Sequence, residues 1–160
     1  MLQQANGKPL IRYAFILYAV MVAWLLLGRS RFDIGRDYWE QVSLNLNLVP
    51  FETVRRYLVV ILHRTNPYML PHALMNVLGN LAVFMPFGFL APWLWKKMRH
   101  LGRFMLCTVS MVMAVELIQL FTLRGSGDID DLILNMAGAA IGFAVFQIIQ
   151  KKTRWGRYVR

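Results

Sequence analysis

One hundred and sixty residues allow a single domain. A mean hydropathy of +0.45, with 58% hydrophobic and only 16% charged residues, excludes an ordinary soluble domain, where about a quarter of residues are charged. The formal net charge of +10 does not indicate nucleic acid: most Lys and Arg flank apolar runs, where they orient helices and meet anionic lipid, and no nucleic-acid motif is present. The single cysteine, Cys107, rules out an intrachain disulfide and is expected to be a small core hydrophobe.

Four apolar segments follow in chain order, at about 10–28, 73–95, 104–121 and 132–149. At 1.5 Å per residue each makes about 27–35 Å of helix, enough to cross the hydrocarbon core. Backbone groups in lipid must be satisfied within their own segment, so each segment is predicted to be a helix. The expected fold is an all-α membrane protein with four transmembrane helices, in one domain over 1–160. Lys8 and Arg12 resemble the basic start of a signal peptide, but no small-x-small cleavage site follows, so the first segment reads as a retained anchor.

The link between the first two segments is roughly 45 residues long. Ser43-Leu44-Asn45-Leu46-Asn47-Leu48 alternates polar and apolar before Pro50. Beyond Thr53, apolar Val54, Tyr57, Leu58, Ile61 and Leu62 recur at helical spacing opposite Arg55 and Arg56. This pattern predicts an amphipathic helix in the membrane interface, with a short re-entrant segment as the alternative. An Asn66-Pro67 turn and Pro71 precede the second span, which Pro86 is expected to kink.

The link after the second span carries Lys96, Lys97, Arg99 and Arg103, and the tail carries Lys151, Lys152, Arg154, Arg157 and Arg160. The positive-inside rule assigns both to the cytoplasm, with both chain termini. The first loop also holds basic residues, among them Arg29, Arg31 and Arg36. It is long and mixes them with Asp33, Asp37, Glu40 and Glu52, so it is assigned outside. Trp93 and Trp95 before Lys96, and Trp155 and Tyr158 in the tail, suit the cytoplasmic interface.

Polar residues inside the spans carry the functional signal. Asn76 and Asn80 are four apart on one helix face, and Glu116 and Gln119 are three apart. Asp131, Asn135, Gly138 and Gly142 form a single stripe on the fourth segment. Asn80 lies about 10 Å into its helix, Glu116 about 8 Å from its helix end and Asn135 about 5 Å from its helix start. Successive spans alternate direction, so these groups are expected to meet in one leaflet, the outer one by the basic segments.

An acid in a span costs about 2.5–3.5 kcal/mol near the centre, so Glu116 should face the bundle, paired or protonated. It either holds charge at a site or serves as hydrogen-bonding glue with Asn80 or Asn135, a role worth only about 0.6 kcal/mol per bond on average. Asp128, Asp130 and Asp131 precede or open the fourth helix, where carboxylates cap free N–H groups, Asp128 foremost. The same three are weak candidates for a divalent-cation site, without EF-hand spacing. His63, His72 and His100 share no ligand spacing, and Gly138-x-x-x-Gly142 permits close helix approach.

Four segments in order resemble the VanZ-like family. Leu46-Asn47-Leu48-Val49-Pro50-Phe51 is similar to its L-N-L-x-P-F segment, and the run from Asn76 through Asn80 to Phe84-Met85-Pro86-Phe87-Gly88 to its N-x-x-x-N…F-x-P-F-G segment. Glu116-Leu117-Ile118-Gln119 resembles E-x-x-Q, and Asp128 through Asp131 and Asn135 to Gly138 resembles D-x-x-D-x-x-x-N-x-x-G. The resemblance covers about positions 45–142. It implies a bacterial cell-membrane protein of a family whose founding member lowers susceptibility to the glycopeptide teicoplanin.

The preferred expectation is non-enzymatic: an outer-leaflet polar pocket binds an amphiphile, either a lipid-linked wall precursor or a lipoglycopeptide. Its candidate residues are Asn47, Asn76, Asn80, Glu116, Gln119, Asp128, Asp131 and Asn135. One alternative is an intramembrane enzyme acting on a lipid head group, with Glu116 as general base and Asp128 and Asp131 positioning a cation. Another is proton-coupled transport through Glu116. No Ser–His or Cys–His arrangement supports acyl transfer. Membrane lipids are expected partners, nucleic acid and cofactors are not, and a homo-oligomer stays open.

Overall fold

The computed structural model describes residues 7–28, 33–64 and 66–152. The expectations placed on Arg29, Arg31, Arg154, Trp155, Arg157, Tyr158 and Arg160 lie outside these residues. Six α-helices account for most of the described chain: α1 (Gly7–Leu27), α2 (Tyr38–Leu44), α3 (Glu52–His63), α4 (Leu70–Leu94), α5 (Leu101–Phe121) and α6 (Ile129–Lys152). Two two-residue strands, β1 (Leu46–Asn47) and β2 (Gly127–Asp128), pair in parallel with Leu46 opposite Gly127.

Helices α4, α5 and α6 are each long and apolar enough to cross a membrane. They coincide with the second, third and fourth predicted spans and extend each by about a turn at its start. The qualifying apolar stretch of α1 is shorter, Pro9–Leu25. Pro71, expected ahead of the second span, instead falls in the first turn of α4, where a missing N–H costs nothing. The helix runs on through Pro86 and Pro92. The basic link forms a single 3-10 turn, Lys96–Arg99, whose Arg99 Nε donates to the Pro92 carbonyl at 3.0 Å.

The main helix pair is α4 with α6, and glycine makes it close. A Cβ at Gly138 would strike the Leu81 carbonyl, one at Gly142 the Met85 carbonyl, and one at Gly88 the Ala139 carbonyl. The small-residue stripe on α6 thus lies directly on the α4 backbone, the arrangement through which membrane helices gain van der Waals contact. The matches 81 with 138 and 85 with 142 mean that α4 and α6 run in the same direction.

Helix α5 runs the opposite way: Phe104 near its start stacks on Phe143 near the end of α6, with ring centroids 4.5 Å apart and planes at 22°. Phe87, Trp93 and Phe146 complete an aromatic core at that end, with Trp93 edge-on to Phe146 at 5.1 Å. Helix α1 lies against α4. The Tyr18 hydroxyl donates to the Val83 carbonyl at 2.7 Å, and Phe15 meets Trp95 edge-on at 5.1 Å.

One expectation about the core is corrected. Cys107 is exposed. The buried stripe of α5 is Phe104, Thr108 and Val112, one turn apart, and position 107 falls off that stripe onto the outward face.

Candidate functional site

At the other end of the bundle, the start of α4, the end of α5 and the start of α6 bring polar side chains together. Asn80 Nδ2 donates to Asp131 Oδ1, joining α4 to α6. Asn135 Nδ2 donates to Glu116 Oε1 at 3.5 Å, joining α6 to α5. Asn135 is only 2% exposed. Amides and acids remote in sequence thus come into contact at one end of the bundle, because α5 runs opposite to α4 and α6.

The first loop completes the site. Residues 46–47 pair with residues 127–128, and Gly127 N–H donates to the Asn45 carbonyl at 2.9 Å. This pairing sets Asn47 beside Asp128, with Asn47 Nδ2 at 3.3 and 3.4 Å from its two carboxylate oxygens. Thr53 on α3 donates from Oγ1 to Asp128 Oδ2 at 2.7 Å and accepts from Asn47 Nδ2 at 2.9 Å. Asp128 Oδ1 in turn accepts the Asp130 N–H at 2.9 Å, which is the capping expected at the start of α6.

Asp130 has a separate task. It is fully buried, and its two oxygens accept the N–H groups of Phe51 and Val54, the latter at 2.9 Å. It therefore caps α3 from the start of α6, satisfying donors that helix termini leave unpaired. Phe51 is in the left-handed region at φ 63°, unusual for a bulky residue, and this turns its N–H onto Asp130.

The end of α5 is also held in unusual backbone. Leu123 has φ 52°, where glycine is the ordinary choice. Arg124 N–H donates to the Gln119 carbonyl at 2.9 Å and Leu123 N–H to the Leu120 carbonyl at 3.1 Å, the two bonds of a Schellman ending. Leu123 is buried with Val42 and Leu120, which offsets the backbone cost. Gln119 lies against Gly125 at this turn. Its side chain packs on the turn.

Among the described residues, no group of three His, Cys, Asp or Glu is arranged to hold a metal ion. The acids Asp128, Asp130 and Asp131 face three different sets of partners: Asn47 and Thr53, the α3 backbone, and Asn80. Thr53, Phe51 and Gln41 are participants that the sequence did not single out. Thr53 follows the resembling loop segment by two positions and begins the amphipathic pattern, which was the available signal. Gln41, 4% exposed, ties the loop through bonds with the backbone of Asp33 and Arg36, and nothing local marks it.

Among the described residues, three buried acceptor atoms at this end have no hydrogen-bond partner: Asn76 Oδ1, Glu116 Oε2 and Asn135 Oδ1. The apolar helices and this polar end define a multi-pass helical membrane protein. A model of the VanZ/LLP1 family matches residues 15–150, and the chain belongs to that family. It is 26% identical over 145 residues to Protein VanZ of Enterococcus faecium, covering 91% of this chain and 78% of that protein. No solved structure matches it.

Proposed function

We propose that the protein binds an amphiphilic cell-envelope molecule, a lipid-linked wall precursor or a lipoglycopeptide, at the polar end of its bundle, with Glu116 at the centre. The observation that carries this is the Glu116–Asn135 pair. It places a carboxyl oxygen and an amide oxygen in a membrane bundle with no partner for either among the described residues. A pair serving as glue alone would be selected to satisfy both ends, since each unmet buried polar atom costs about 1–3 kcal/mol.

In this reading α1 is a fourth span, supported by its packing along α4 through Tyr18 and Phe15. Lys96, Lys97 and Arg99, with Lys151 and Lys152, lie at the aromatic end, so the polar end faces outward by the positive-inside rule. Helix α3 lies in the interface above the site. Leu58, Val59 and Leu62 are exposed for lipid contact, while Thr53 reaches down to Asp128. An amphiphile entering from the leaflet would keep its chain in lipid and bring its head to Glu116. The family resemblance ties this to tolerance of teicoplanin, which carries an acyl chain.

Expression in a susceptible host is expected to raise teicoplanin tolerance more than vancomycin tolerance. Glu116→Gln, which keeps shape and hydrogen bonding but removes the charge, is expected to abolish the effect at unchanged membrane abundance. Equal effects on both antibiotics would remove chain recognition, and full activity of Glu116→Gln would reduce Glu116 to glue.

A further inference from the structure

The atoms left without partners at the polar end are all acceptors. Asn135 gives one of its two amide N–H donors to Glu116, and its Oδ1 and Glu116 Oε2 are each one carbon away from the two atoms of that contact. Asn76 Oδ1, one turn before Asn80 on α4, is the third oxygen left without a partner among the described residues. The fourth unpartnered buried atom among the described residues, the Trp93 Nε1 donor, belongs to the aromatic end. A head group matching three oxygens, one of them on a carboxyl group that a cation would hold ionised, must be rich in donors and is best met by a positive charge. A phosphate or carboxylate would meet Glu116 as a like charge in a medium that screens little.

A primary ammonium has three N–H donors and no acceptor, which is this complement. A divalent metal ion takes about six oxygen ligands, more than the three left here, and among the described residues no three His, Cys, Asp or Glu are grouped to hold one. Resting on the amphiphile-binding reading above, we infer that Glu116 and Asn135, with Asn76, recognise a primary ammonium carried by the bound amphiphile. Asn135 is the specificity element: almost fully buried, it fixes one oxygen beside the Glu116 carboxylate, so that charge and hydrogen-bond geometry are read together.

The full-length protein in phosphatidylcholine nanodiscs tests this, with dodecylamine and dodecanol as probes of equal chain length. Wild type is expected to bind dodecylamine about tenfold more tightly, as one charge-assisted hydrogen bond would give. Glu116→Gln should bring the ratio close to one, with melting temperature confirming its fold. Asn76→Ala, outside the Glu116–Asn135 contact, should lower the ratio by about threefold and carries the test if Glu116→Gln fails to fold.

Equal binding of both probes to wild type would overturn the ammonium assignment and leave amphiphile binding standing. Binding of neither would overturn both. A preference that survives in Glu116→Gln would place amine recognition elsewhere and overturn the assignment. Competition then separates the sources. Displacement of dodecylamine by short-chain phosphatidylethanolamine and not by ethanolamine supports a lipid-borne ammonium, and displacement by ethanolamine alone supports a free one.

Discussion

The two ends of the bundle are built on opposite rules. At the aromatic end, Phe104, Phe143, Phe146 and Trp93 fill space with rings, and position is set by packing alone. At the polar end, acids and amides cross between α4, α5, α6 and the first loop, and position is set by hydrogen bonds. Between them the glycine contacts of α6 fix both ends to one axis. The difference teaches where alteration is tolerated. Ring packing can relax among apolar neighbours, whereas a buried carboxylate that loses its partner cannot.

The largest effect is expected at the joint. Gly138→Leu forces side-chain atoms onto the Leu81 carbonyl and should destabilise the protein by about 3 kcal/mol or more, read as loss of folded protein in membranes. If Gly138→Leu accumulated normally, the close α4–α6 approach would be wrong.

Asp130→Ala comes next. Two N–H groups lose their buried acceptor at about 1 kcal/mol each, and hydrogen exchange should show protection lost at Phe51 and Val54 while the aromatic end stays protected. Uniform loss along the chain would show that the two ends do not open separately.

Phe143→Leu is expected to cost about 1–2 kcal/mol in thermal melting and leave ligand binding unchanged, because its stack with Phe104 is remote from Glu116. Binding that fell with it would erase the division between the two ends. The smallest effect belongs to Thr53→Val, which keeps shape and removes the donor to Asp128, at about 1 kcal/mol. A larger loss of binding than of stability there would mean that α3 takes part in recognition.

How far each region was legible follows from range. The helices over 70–94, 101–121 and 129–152 were readable because a bilayer admits only segments that satisfy their own backbone, and apolar length is a local property. The meeting of Glu116 with Asn135 was one of the pairings expected from alternating directions, whereas Asn80 takes Asp131, a partner the spacing did not name. The orphan atoms were not legible, since which oxygen of Asn135 or Glu116 finds a donor depends on angstrom-scale placement across three helices.

The sequence by itself determined an apolar helical bundle and the end of it at which acids and amides gather, because hydrophobic length and span parity are one-dimensional. Tertiary structure alone decided that residues 46–47 pair with 127–128, and that Asp130 reaches back to cap α3. It also placed Cys107 on the outside, since facing is set by which neighbour a helix meets. Hydrogen bonds made across roughly eighty residues have no local signature, and that is where the two descriptions separate.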